Sequence, residues 1–357
     1  MEVGDLQLGA AAIALLAEQA RGDAAALAAV ADLARRSRLS EEAYRLAVEA
    51  REAAPHDPAI TAATARAFAD SVPDWHFSIV RDQPRNDAWE AALRKAVTAE
   101  SLVLDIGAGT GLLAMMAARA GAREVISCEM NPALADVARA IVELNGLSDR
   151  VRVISTHSSK LDLDSLCGRR ADVVVSEILA NDLVGEGATE VMTDVLDRLL
   201  APGGRIIPVS GDVQVALAHW ANASKPALGS ISGFDLSPLE LVRRRPRHVK
   251  VGDPALTLQS AAGTLFSVGF AEKQPGADIR SSCALRLAEG PANGVIQWIR
   301  VRLDEEIAHE NAPSPESKSS WDALFHPFPE GMAPKAGDPV LVHAIRRSGH
   351  LEIWSEV

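Results

Sequence analysis

Hydrophobic and polar positions change their period twice along the chain. Residues 6–70 are alanine-rich and read as short helices, with Ser40 a candidate N-cap ahead of Glu41 and Glu42. Pro73 to Arg85 has the polar and aromatic mix of a linker or hinge, and Asn86 to Val97 has amphipathic helical spacing. Short apolar runs at 102–106, 124–128, 151–155 and 172–176 then alternate with helical stretches at 111–120, 132–145 and 188–200. Leu200 to Ile207 contains Pro-Gly-Gly and reads as a sharp helix-to-strand turn. This alternation predicts a parallel, doubly wound α/β sheet. After 210 the period falls to two, at 212–218, 256–259, 264–269, 283–287, 294–303, 340–345 and 351–355, as in antiparallel strands of a β-barrel or sandwich. Glu310 to Ser320 is polar and reads as a loop. The expected organisation is a helical module over 1–72, an α/β domain over 73–209 and a β-barrel domain over 210–357.

Within the first module, Ala43, Ala50 and Pro55 are spaced as in the second helix of a tetratricopeptide-like unit. Only one such unit is recognisable, so a helical hairpin packed on the core is the alternative.

Composition narrows the function. The chain has 357 residues, 48% of them hydrophobic, which is enough for a sizeable core. No apolar run approaches a membrane span. Glu2 and Asp5 stand where a signal peptide would be basic, so none is expected. Cys128, Cys167 and Cys283 are scattered without a CxxC pair, which predicts free thiols in a reducing compartment and a cytoplasmic location. The net charge of −12 argues against a broad nucleic-acid surface and fits basic partners such as arginine-rich peptides. The run Arg243-Arg-Arg-Pro-Arg is short enough to be an ordinary solvated face.

Residues 102–111 carry the most specific pattern. An apolar strand ends in Asp105, and Gly107, Gly109 and Gly111 follow in D-x-G-x-G-x-G, opening onto a helix. Glycines let the backbone turn tightly and approach a ligand where a Cβ would clash. Glu129, at the end of the next strand, can accept hydrogen bonds from ribose hydroxyls. Dinucleotide sites favour G-x-G-x-x-G with pyrophosphate at the helix N-terminus. Here the acid under the loop disfavours a pyrophosphate and suits a cationic amino group, so S-adenosylmethionine (SAM) is the expected cofactor rather than NAD.

The fourth strand of the sheet, 172–176, runs into Glu177, and strand carboxyl ends face the ligand cleft in such sheets. Glu186 follows nine residues later, flanked by Gly185 and Gly187. Paired buried acids are costly unless a cation lies between them. A guanidinium, planar and always charged, meets that need. Spacing alone leaves an equal alternative, in which Glu177 is a surface acid and Glu186 caps a helix.

These motifs together resemble the protein arginine methyltransferase family. Val103-Leu-Asp-Ile-Gly-Ala-Gly-Thr-Gly-Leu-Leu is similar to its cofactor motif, and Ser176-Glu-Ile-Leu-Ala-Asn-Asp-Leu-Val-Gly-Glu-Gly-Ala to its double-glutamate loop. The Gly-Glu-Gly form is closest to the monomethylating branch. Ile79-Val-Arg-Asp-Gln-Pro-Arg-Asn resembles the segment that folds over the cofactor. Gly233-Phe-Asp-Leu-Ser, Gly294-Val-Ile-Gln-Trp and Ser314-Pro-Glu followed by Trp321 resemble parts of its barrel domain. The resemblance, running from about 75 to 357, implies that Arg85 binds the cofactor carboxylate, that His76 and Ser158 lie beside the cofactor, and that Trp321 and Asp82 belong to the substrate groove. It also implies a homodimer, with an arm within His219 to Ser232.

Two departures stand out. The family's Thr-His-Trp reads Ser319-Ser320-Trp321 here, and Ser320 is expected to reach Asp82 only through a water or not at all. The family's tyrosine-rich N-terminal helix has no counterpart, and Tyr44 is the sole tyrosine. The expected activity is methyl transfer from SAM to an arginine guanidino nitrogen of a protein or peptide. The alternatives are a methyltransferase of a small guanidino or amino compound, and a SAM-binding scaffold whose N-terminal helices dock a protein partner.

Overall fold

The computed structural model describes residues 9–224, 230–242, 246–272, 278–288, 290–347 and 349–357. Its first four helices are α1 (Ala10–Ala20), α2 (Ala24–Arg36), α3 (Ser40–Ala53) and α4 (Pro58–Ala69). They enclose their own apolar cluster, including Ile13, Leu27, Leu46, Ala50 and Ile60. Asp23 and Asp57 cap α2 and α4 by accepting backbone N–H bonds. Ser40, expected to cap α3, is instead its first helical residue and makes no cap bond, because the chain turns at Leu39.

The module is tied to the rest of the chain. Helix α3 packs on α8 (Pro132–Leu144), where the Tyr44 hydroxyl donates to Asp136 at 3.0 Å. Asn131 Nδ2 donates to the Ser71 carbonyl at 2.7 Å. The segment read as a linker is helical for much of its length. It contains α5 (Trp75–Ile79), and α6 (Gln83–Ala96) begins ahead of the expected Asn86. Asp82 caps α6 through the Arg85 N–H, and Pro84 occupies the first turn, where its missing N–H costs nothing.

Strands β1 (Leu102–Ile106), β2 (Glu124–Glu129), β3 (Val151–Ser155), β4 (Ala171–Ser176) and β5 (Leu200–Ile207) form one parallel sheet in the order β3-β2-β1-β4-β5. Helices α7 (Leu112–Arg119) and α9 (Ala188–Arg198) complete the α/β unit. All five β1 residues are buried, as a strand covered on both faces must be. Pro202-Gly-Gly does not turn the chain out of the sheet. It sits within β5, and the register with β4 shifts between Ala171 and Val173.

Beyond β5, strands Ser210–Trp220 and Gly294–Arg302 pair antiparallel, flanked by Gly263–Gly269 and Ala323–Pro327. Strands Ile279–Arg286, Pro339–Arg347 and His350–Glu356 form a second sheet. Phe266, Phe270, Ile299 and Val301 from this barrel-like half join Trp89, Leu104 and Trp321 in a single apolar cluster. The two halves therefore share a core, and the edge between them is held by packing.

Tyr44 supplies a direct test of the module's docking. Its phenol is pushed up to about 12 by burial, by its hydrogen bond to Asp136 and by that carboxylate's charge. Because the folded value exceeds the unfolded one, this contribution to stability is complete below about pH 10 and is lost as pH rises towards 12. With one tyrosine in the chain, ultraviolet titration of the phenolate should give a midpoint well above 10 in the folded protein, falling towards 10 in Asp136→Ala.

Candidate active site

A cavity of about 480 Å³ runs across the carboxyl ends of β4, β1, β2 and β3. Its walls bring together eight of the residues singled out from sequence: His76, Arg85, Gly107, Gly109, Glu129, Ser158, Glu177 and Glu186. Asp105 lies beneath it, fully buried at the end of β1. Its Oδ2 accepts the Ser127 hydroxyl at 2.7 Å. Burial pushes its carboxyl up to about 7, against the opposing pull of Ser127.

The glycine loop is shaped by close approach. A Cβ on Gly107 would meet Ile178 Cγ2 at 2.5 Å, and its φ of +76° disfavours any side chain. A Cβ on Gly109 would meet no atom within 4 Å. Open space lies where a ligand would run over the backbone. Glu129 braces this loop. One oxygen accepts the Gly109 N–H at 2.9 Å and the other the Asn131 N–H at 2.8 Å. Each oxygen keeps a further lone pair for a ligand hydroxyl.

The central contact is an ion pair between the Arg85 guanidinium and Glu177, with the two side chains only 5% and 6% exposed. Arg85 also donates to Asn86 Oδ1 at 2.7 Å and lies over the Trp89 ring at 5.2 Å. Burial lowers the Arg85 pKa, opposed by Asp82 and Asp105, and leaves it a cation at neutral pH. Arg85 Nε and Glu177 Oε1 are both buried without a hydrogen-bond partner. A buried donor and a buried acceptor at one end of a cavity fit a ligand that brings a carboxylate and a cation together. Glu186 lines the same cavity, and desolvation with nearby Asp182 raises its pKa.

Of the remaining sequence candidates, Asp82 and Trp321 lie outside the cavity lining. His76 Nδ1 contacts the Pro73 carbonyl at 3.1 Å and its ring stacks on Trp75, so this lining residue is held from behind. Asp82 is buried and joins α6 to the barrel side. Its Oδ2 accepts the Ser319 hydroxyl at 3.0 Å, the Ser320 N–H at 2.7 Å and the Ser320 hydroxyl at 3.1 Å. Ser320 therefore reaches Asp82 directly, contrary to expectation, because the loop backbone itself comes within hydrogen-bond range. Trp321 is 5% exposed and packs edge-on against Trp89 and His309, within the core rather than on an open groove.

Comparison with known proteins follows the same lines. Residues 90–219 match the family described as ribosomal protein L11 methyltransferase (PrmA). The chain is 32% identical over 308 residues to an arginine N(omega)-methyltransferase of Streptomyces achromogenes subsp. streptozoticus, covering 84% of each chain. The chain belongs to the arginine N-methyltransferase family.

It is also 32% identical over 261 residues to protein arginine N-methyltransferase 7 of Drosophila grimshawi, covering 67% of this chain and 36% of that one. The chain thus spans little more than a third of this fly relative and most of the Streptomyces one. Among solved structures, the Trypanosoma brucei PRMT1 enzyme-prozyme complex with AdoHcy superposes with a TM-score of 0.66, covering 80% of this chain and 98% of that chain at 19% identity. That likeness carries the fold: a methyltransferase sheet followed by an antiparallel barrel-like domain.

One buried residue packed against Trp89 and Trp321 had no sequence signal. His309 is buried between Trp89 and Trp321, where burial lowers its pKa while Asp82 raises it. A lone histidine on a three-residue strand, Ala308–Glu310, has no spacing to betray it. Asn311 was equally hidden; its side chain accepts the Ile299 N–H and donates to the Trp321 and Asp322 carbonyls.

Gly107→Ala tests the loop geometry. Positive φ together with the Ile178 contact should cost about 2 kcal/mol of unfolding free energy, read by urea titration. Wild-type stability in that variant would mean that Ile178, adjacent to Glu177, can move away freely.

Proposed function

We propose that this protein transfers a methyl group from SAM to a guanidino nitrogen of arginine, with Glu177 and Glu186 clamping the guanidinium. The observation that carries the reading is the Arg85–Glu177 pair: the cavity already holds one guanidinium against the carboxylate proposed to receive the substrate's. When bound, SAM supplies an electrophilic methyl group on a sulfonium. Arg85 has five N–H donors, so its pairing with Glu177 leaves donors for the cofactor carboxylate. Glu129 holds the ribose, the Gly107–Gly109 backbone admits the cofactor chain, and His76 and Ser158 flank it. Glu177 and Glu186 orient the substrate guanidinium and concentrate its positive charge away from the nucleophilic nitrogen. Methyl transfer to that nitrogen would break the donor's carbon–sulfur bond, release S-adenosylhomocysteine and free one proton. Most of the rate gain comes from positioning. Asp82, through Ser319 and Ser320, holds the barrel loop and Trp321 against α6, which sets the shape of the substrate groove.

The net charge of −12 supports a basic, arginine-containing protein or peptide as substrate. Free L-arginine is the second reading, favoured by the name of the Streptomyces relative, which specifies arginine without specifying a protein. A homodimer fits the apolar side chains exposed on the segment from 230 to 242, Ile231, Phe234 and Val242 among them; residues 225–229 of the expected arm lie outside the described residues. No described helix is long and apolar enough to cross a membrane. The described cysteines are free, which supports a cytoplasmic setting.

Two outcomes are expected. Mass spectrometry after incubation with SAM and either an arginine- and glycine-rich peptide or L-arginine should find added methyl on arginine. Glu177→Gln should reduce turnover about 100-fold or more. Undiminished turnover in that variant would remove the clamp from the mechanism.

The second concerns pH. With its pKa raised to about 7, Asp105 is protonated in the folded protein between its unfolded value and 7. Folding therefore binds a proton in that range, and this group's contribution to stability falls as pH rises from about 4 to 7. A cationic cofactor beside it favours the ionised form, so SAM affinity should rise with pH through about 7. Calorimetry in buffers of different ionisation enthalpy should register proton release, and Asp105→Asn should abolish it.

A further inference from the structure

One wall of the cavity comes from outside the methyltransferase motifs. Ser40 and Glu41, in the first turn of α3, line it beside Pro73, Trp75 and Met130. The sheet order determines which end they close. Across the cavity the strand ends follow the sequence β4, β1, β2, β3, carrying Glu177, Gly107, Glu129 and Ser158 in turn. A cofactor with its reactive centre at Glu177 and its ribose at Glu129 extends its base towards β3. Helix α8 connects β2 to β3, and α3 packs on α8. The first turn of α3 therefore faces the base.

The side chains there differ in what they are doing. Glu42 is occupied by Arg45 at 2.5 Å. Glu41 makes no hydrogen bond or ion pair with any described residue, although it lines the cavity. A carboxylate is an acceptor only, and the exocyclic amine of adenine is a donor. Two tethers, Tyr44 to Asp136 three residues on from Glu41 and Asn131 to Ser71 at the end of the module, keep α3 against the cavity.

We propose that Glu41 is a cofactor-binding residue that accepts a hydrogen bond from the adenine exocyclic amine, with Ser40 beside it. The helical module is then part of the cofactor site rather than a free protein-docking arm. This rests on the SAM reading above. It also assigns a specificity role to Glu41: a base with an oxo group in place of the amine would present one acceptor to another.

The test is calorimetry on the full chain with S-adenosylhomocysteine and with S-inosylhomocysteine, its 6-oxo counterpart. Wild type should prefer the adenosyl ligand by about tenfold or more. Glu41→Ala should lose about that factor for the adenosyl ligand and little for the inosyl one. Glu41→Gln, whose amide can donate, should bind the inosyl ligand better than wild type does. An equal loss for both ligands would make Glu41 structural and overturn the assignment, as would an unchanged preference. If wild type binds neither ligand, the SAM reading fails along with it; tight adenosyl binding that ignores both substitutions overturns the Glu41 proposal alone.

Discussion

The buried pairing of Arg85 with Glu177 constrains everything around the cavity. Both charges are withdrawn from water, and such a pair gains little net stability over an apolar replacement. Breaking it by removing one partner is another matter, costing about 3–5 kcal/mol because the survivor is left buried and alone. The pair therefore acts chiefly on geometry. It fixes the first turn of α6 against the end of β4, and it sets a carboxylate at one end of the cavity in a single orientation. Asn86 and Trp89, on the same helix, hold the guanidinium from its other sides.

Asp82 extends this arrangement into the barrel. The same carboxylate that caps α6 gathers three donors from Ser319 and Ser320. A serine hydroxyl is shorter than an imidazole, but here the loop backbone itself reaches the carboxylate, with the Ser320 N–H donating at 2.7 Å. Behind it, Trp89, His309 and Trp321 meet edge-on in a buried aromatic cluster. The histidine packs against both tryptophans, where burial lowers its pKa against the opposing charge of Asp82. Helix, loop and strand from two domains are thus joined at one point by charge-assisted hydrogen bonds and packing.

The helical module adds a third element to the same unit. Its own apolar cluster makes it self-consistent, and its contacts with α8 and Asn131 bring it to the mouth of the cavity. In a family where the sheet and loops carry the chemistry, an added module that lines the cofactor cavity is well placed to influence binding without touching the reacting atoms.

Sequence alone determined the parallel sheet, the glycine loop and the candidate acids. Strands buried on both faces read as continuous apolar runs, and the loop requires glycines at fixed offsets, so both leave local patterns. It also determined the family, because several ordered motifs rarely coincide by chance. Only the tertiary structure decided which charges meet. Arg85 and Glu177 are 92 residues apart, as are Tyr44 and Asp136, and Asp82 meets Ser320 across 238. No periodicity spans such distances. The strands at 247–249, 308–310 and 323–327 were equally hidden, since three to five residues hold too few alternations to register. The position of Glu41 depends on how α3 docks on α8, which is set by the shape of two packed surfaces and has no counterpart in local spacing.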